Sequence, residues 1–97
     1  MKKVILLLTT VFALSLMAND GASLYKKCAS CHGAQAEKKA LGKSKVIKGW
    51  TKEDLVAALK GYKDGSYGGP MKGLMKSQVV AYDDAKIDAV SEYISKF

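Results

Sequence analysis

The five residues Cys28-Ala29-Ser30-Cys31-His32 hold both cysteines and the only histidine of the 97-residue chain. No other feature restricts the fold so strongly, because the thiol and imidazole chemistry of the protein is confined to one short run. Two thiols three residues apart, followed at once by an imidazole, form the C-x-x-C-H pattern of covalent haem attachment. The spacing has a mechanical sense. Both thiols can reach the two vinyl groups of one porphyrin edge, and the adjacent imidazole can then turn under the iron. Three other uses fit less well. A closed zinc site needs four ligands, and carboxylates would have to complete it. A redox dithiol belongs in an α/β setting, yet no window of this chain alternates as a strand does. A disulfide across so small a loop would constrain the unfolded chain little.

Much of the 48% hydrophobic content lies in one N-terminal block. Lys2 and Lys3 lead into the uncharged apolar stretch Val4 to Ala18, which is shorter than the roughly 20 residues of a membrane-spanning helix. A basic start, an apolar middle and a small residue at its end describe a secretory signal peptide over residues 1–18, cut after Ala18. No cysteine follows directly to carry a lipid. The remaining residues 19–97 read as one domain, and loss of Lys2 and Lys3 lowers the formal charge from +7 to +5. A domain below roughly 80 residues usually depends on a disulfide, metal or cofactor to complete its core. A buried porphyrin would fill that need, and it implies a poorly folded apoprotein.

The expected fold class is all-α, with about four short helices. Asp20 can cap a first helix that ends near the cysteines. From Gly33 to Gly49 five lysines occur without helical or alternating period, which indicates loop with a short turn. Thr51 followed by Asp54 resembles a capping box, and Leu55, Val56 and Leu59 form a helical stripe expected to stop at Gly61. Five glycines and the only proline, Pro70, then fall between Gly61 and Gly73, where backbone must turn sharply or approach something flat. A short helix is expected over Leu74 to Val80. Asp83 can cap a last one whose apolar face runs Ile87, Val90, Ile94 and Phe97.

With His32 as one iron ligand and no second histidine, a sixth ligand must be another atom type. Met71 and Met75 are the two sulfur candidates once Met1 and Met17 leave with the signal peptide, and helical spacing alone cannot choose between them. Methionine opposite histidine raises the reduction potential and fills the coordination sphere, which suits electron transfer.

These residues together resemble the class I c-type cytochromes, in particular the small single-haem cytochrome c-553 group. The likeness covers residues 19–97. It rests on Asp20-Gly21-Ala22 and Leu24-Tyr25-Lys26 before the haem motif, His32-Gly33-Ala34 after it, Gly61-Tyr62, Asp64-Gly65-Ser66-Tyr67-Gly68-Gly69, and Glu92-Tyr93 near the end. The resemblance implies a helical bundle in which the first and last helices cross, pairing Gly21, Leu24 and Tyr25 with Val90, Tyr93 and Ile94. It implies one haem c bound through Cys28 and Cys31, and iron held by His32 and Met75. Met75 stands six residues beyond Gly69, where the family carries its ligand. Tyr62, Tyr67 and Leu41 are implied as pocket residues. One departure stands out: Val46 occupies the place of a proline whose carbonyl accepts from the ligand histidine in the group, so the Val46 carbonyl is the acceptor expected for His32 Nδ1–H.

The function implied is that of a soluble periplasmic one-electron carrier, monomeric and not an enzyme. Its expected partners are redox proteins such as a terminal oxidase, a peroxidase or a dehydrogenase. A haem enzyme or gas sensor with an open sixth position is the alternative, and so is a subunit fixed in a larger complex. The former would call for a distal histidine or arginine, and the chain has no spare histidine and no arginine. Absence of arginine forks and export of the chain both argue against nucleic acid as partner. Lys26, Lys27, Lys38, Lys39, Lys72 and Lys76, close in sequence to the haem residues, are expected to ring the haem edge and steer acidic partners.

Overall fold

Side-chain caps start three of the four helices among the described residues. In the computed structural model, which describes residues 20–42 and 44–97, Asp20 Oδ1 accepts from Ala22 N at 3.3 Å and opens α1, Gly21–His32. Thr51 Oγ1 accepts from Asp54 N at 3.1 Å and opens α2, Lys52–Asp64. Asp83 Oδ1 accepts from Lys86 N at 2.9 Å and opens α4, Asp84–Ser95. Each cap satisfies an amide that has no partner inside its own helix. The helix between them, α3 at Lys72–Val79, has no side-chain cap. It follows Pro70, and its first turn is tied by Lys72 N to Gly69 O at 3.1 Å and Met75 N to Met71 O at 3.2 Å. One 3-10 turn, Ala40–Gly42, interrupts the lysine-rich loop. Among the described residues there is no strand, so the all-α expectation holds. The expected signal peptide over residues 1–18 lies outside the described residues.

The expected bounds of three helices move. The second helix does not stop at Gly61 but runs one turn further, to Asp64, where Gly65 closes it in the left-handed conformation. Gly61 is buried, and a Cβ there would collide with the Cβ of Tyr67. Its role is close packing, so the helix continues through it. The third helix begins at Lys72 and ends at Val79, ahead of the expected Leu74 and Val80. Phe97 lies beyond the end of α4, yet still packs inward, 5.4 Å from the ring of Tyr25 and 5.1 Å from that of Tyr93.

The core forms where α1 crosses α4. Tyr25 is 3% exposed and joins Ile87, Val90 and Ile94 in one buried cluster with Leu55 of α2 and Tyr82. A Cβ on Gly21 would come within 2.5 Å of Ala89 O and 2.6 Å of Tyr93 Cβ, so only glycine permits this approach. The crossing expected from the resemblance is therefore present, with Tyr25 and Tyr93 rings 5.7 Å apart. On the outside, Lys52 bridges Asp88 at 3.1 Å and Glu92 at 3.2 Å, which sets α2 against α4. These pairs are exposed, so their contribution is small beside the buried cluster.

Two features of this core have measurable consequences. Ser91 is fully buried in α4 and its Oγ has no hydrogen-bond partner. A buried unpaired hydroxyl costs free energy, and Ser91→Ala is expected to raise stability by about 1 kcal/mol. The check is the midpoint of chemical denaturation of the haem-loaded protein, and a lowered midpoint would show the hydroxyl to be useful. Burial pushes the Tyr25 phenol up to about 12 from 10.0. The folded state holds this proton more tightly than the unfolded one. The stability it contributes is present below pH 10 and is lost as pH rises through about 12, following proton linkage. Tyr25→Phe should therefore give a shallower fall of stability over that alkaline interval, measured by denaturation at a series of pH values.

Candidate functional site

Helix geometry arranges the haem motif before any packing occurs. Residues three apart share a helix face, so Cys28 and Cys31 in the last turn of α1 both line one side of a cleft. His32 is the final residue of the helix and is 7% exposed. The chain turns away directly after it: Gly33 N donates to Ala29 O at 2.9 Å, and Tyr25 Oη donates to Gly33 O at 2.5 Å. The helix end that carries the imidazole is thus pinned by a buried tyrosine of the core.

The cleft has two parts that share a wall. The larger encloses about 420 Å³ between α2, the loop before it and the glycine-rich segment, within the range of about 300–1,000 Å³ found for cofactor clefts. The smaller, about 140 Å³, lies beside the cysteines. His32, Ser44, Met71 and Met75 border both. Tyr62 and Tyr67 line the larger part, while Leu41 lines the smaller with Cys28 and Cys31. All seven residues named from sequence and resemblance therefore come to this one cleft.

The two tyrosines are set by Gly61. Tyr67 N donates to Gly61 O at 3.2 Å, and the absent side chain lets Tyr67 stand edge-on to Tyr62, ring centres 5.1 Å apart at 81°. Leu41 is held differently. It sits in the left-handed region at φ 54° and is 57% exposed, an unusual conformation for a non-glycine residue. With Leu74, 44% exposed, it leaves an apolar rim open beside the cysteines.

Position does not separate the two methionines. Met71 precedes α3 and Met75 lies one turn inside it, yet both border both parts of the cleft and both are half-buried. Further lining residues read in the sequence as helix stripe and core and not as pocket. Leu55 and Leu59 belong to the same stripe of α2 as Tyr62, and Ile94 to the buried face of α4, so core stripes double as pocket wall. The signal was present in their spacing. Trp50, the sole tryptophan, borders the larger part from the loop ahead of α2. A large aromatic in a lysine-rich loop without a core of its own was the available clue.

The electrostatics distinguish the possible uses of the motif. Burial pushes the Cys28 thiol up, whereas a reactive dithiol needs a lowered value. Burial also pushes the His32 imidazole down, which favours the neutral ring with a free lone pair. Its Nδ1 is buried without a partner. The Val46 carbonyl does not accept from it, contrary to the expectation, and Val46 stands at the surface, 37% exposed. The loop is held instead by Lys48 N to Ala36 O at 3.0 Å. Among the described residues, no three His, Cys, Asp or Glu side chains gather as ligands of a metal ion. A neutral imidazole in an apolar cleft and thioether sulfur on the same cleft suit a haem iron, and two thiols on one helix face suit the porphyrin edge. The expected lysine ring needs one correction. All six lysines are exposed, but the Lys27 ammonium is engaged by Gln78 O at 2.5 Å and by the Tyr82 ring.

Known proteins bear on the same residues. The family model for cytochrome c matches residues 18–97. A cytochrome c-553 from Nitratidesulfovibrio vulgaris is 42% identical, the match covering 99% of each protein. One from Helicobacter pylori is 41% identical over 97% of this chain and 96% of its own. One from Desulfomicrobium norvegicum is 41% identical over 79% of this chain and 95% of its own. Likeness of this extent, joined to a cleft bordered by Cys28, Cys31 and His32, means that the chain belongs to the cytochrome c family of small electron carriers, whose haem c is attached here through Cys28 and Cys31.

Proposed function

We propose that the protein is a periplasmic single-haem carrier of one electron, with His32 and Met75 as iron ligands. The observation that carries the reading is the shared cleft: the two cysteines, the buried neutral imidazole and the thioethers of Met71 and Met75 all border it, and the resemblance, six residues beyond Gly69, favours Met75. Bound haem supplies the exchange of one electron between ferrous and ferric iron. The chain supplies the rest. His32 offers an uncharged nitrogen. Met75 offers a soft, uncharged sulfur that favours the reduced metal, and so raises the potential. Tyr62, Tyr67 and Leu41 line the pocket and limit water at the iron. A filled sixth position leaves no place for substrate, so the protein is read as a carrier and not an enzyme.

Residues 1–18 act in this reading as the export signal, with the mature chain starting at Asn19. No helix among the described residues is long and apolar enough to cross a membrane. The partners are redox proteins such as a terminal oxidase, a peroxidase or a dehydrogenase, met by a monomer. The apolar rim of Leu41 and Leu74 beside the cysteines, on a chain whose Lys26, Lys38, Lys39, Lys72 and Lys76 are exposed, supports brief docking on an acidic partner surface. Such complexes are small, commonly burying less than about 1,200 Å² in all, so charge governs encounter more than area does.

Two measurements test the reading. The intact mass of exported protein should equal the chain from Asn19 plus one haem, and a chain that retains Met1 or alkylates at both thiols would overturn it. The ferric protein should show the near-infrared sulfur-to-iron charge-transfer band, lost in Met75→Ala and kept in Met71→Ala. The reverse pattern would assign Met71. A wild-type protein without the band would favour an open sixth position and a haem enzyme or gas sensor.

A further inference from the structure

The helix that carries Met75 is weakly built into the molecule. It is eight residues long, has no side-chain cap at its start, and buries only Val79. Its main neighbour is α2, which holds neither the cysteines nor His32. Among the described residues, one hydrogen bond joins α3 directly to α1: the Lys27 ammonium donates to Gln78 O at 2.5 Å. That carbonyl lies in the last turn of α3, where backbone acceptors lack partners and a cation is favoured. The same ammonium stands 4.4 Å from the centre of the Tyr82 ring, within the range of a cation–π contact.

Tyr82 makes this ring a fixed seat. It is 7% exposed, its hydroxyl donates to Leu24 O of α1 at 2.7 Å, and its amide donates to Val79 O at 2.9 Å. Lys63 of α2 donates to its carbonyl at 2.6 Å. Lys27 therefore reaches from a rigid base beside Cys28 onto the end of a lightly anchored helix. Gln78 is three residues beyond Met75, on the same side of α3.

We propose that Lys27 is a positioning residue, a latch between the haem-attachment helix and the methionine helix that keeps Met75 at the iron. The inference rests on Met75 as sixth ligand and says what holds it there. Its logic is a population shift. An added ligand can take the sixth position only in molecules whose methionine helix has swung away, so its apparent affinity scales with that fraction. Loss of the latch enlarges the fraction. In this role Lys27 does not belong with the lysines free to meet a partner.

Imidazole is the probe, titrated into the ferric, haem-loaded protein and followed by loss of the near-infrared sulfur-to-iron band. Lys27→Gln removes the cation and shortens the side chain, and it should bind imidazole about fivefold more tightly than wild type, the effect of one solvent-exposed charged hydrogen bond. Lys27→Arg, which keeps a cationic donor of similar reach, should restore wild-type affinity. Lys26→Gln makes the same change of net charge one residue away and should leave the affinity unchanged. Since Lys27 is exposed, helicity and haem content should match wild type in all three. Wild-type affinity in Lys27→Gln, or an equal rise in Lys26→Gln, overturns the latch and leaves the methionine ligand standing. A wild-type protein that lacks the band, or a band that persists in Met75→Ala, removes that ligand and the latch with it.

Discussion

A buried tyrosine holds the end of the first helix, and the site is arranged around that end. Tyr25 sits in the crossing of α1 and α4, against the rings of Tyr93 and Phe97, and its hydroxyl closes on the carbonyl of Gly33. Gly33 follows directly on His32, so a single side chain ties the hydrophobic core to the residue at the head of the cleft. The crossing itself depends on Gly21, where a Cβ would strike the backbone of α4. Tight packing of this kind leaves few alternatives, because interiors are as dense as organic crystals and give little to inserted atoms. The helix end and its three functional side chains are thus placed by the core.

The core and the site are not separate regions. Leu55 belongs to the buried cluster and to the larger part of the cleft, and Ile94 does the same from α4. In so small a domain there is too little side-chain surface to build two apolar layers. A flat cofactor bound in the cleft would act as a further core element, with the helices that line the cleft as its walls. This division of labour also accounts for the weak third helix. It needs few contacts with the rest of the protein because its inner side borders the cleft.

Charge is distributed with the same economy. Lys52 joins α2 to α4 through Asp88 and Glu92, and Lys63 and Lys27 end on backbone carbonyls at or near the close of α3. Lys45 and Lys72 border the larger part of the cleft and remain exposed. One residue type serves both as internal tie and as surface charge. The long, flexible stem of lysine makes this possible, since its ammonium can travel to whatever acceptor the fold presents.

The sequence by itself determined the chemistry of the site and the start of three helices. A C-x-x-C-H run, a cap at Asp20, Thr51 or Asp83 and a period of 3.6 are local properties, and local physics carried them into the structure unchanged. What only the tertiary structure decided are the features that depend on a neighbour brought in by the folding of the chain. Gly61 reads as a helix stop until Tyr67 is seen packed against it, which turns the same glycine into a site of close approach inside a longer helix. Trp50 has no partner in its own loop and becomes a wall of the cleft only when α2 and the glycine-rich segment close around it. Lys27 has the composition of a docking charge, and its tie to Gln78 arises from a contact 51 residues away in the chain. Spacing along a chain reports which side chains share a helix face; it carries no information on which faces meet, because that is settled by the packing of whole helices against one another.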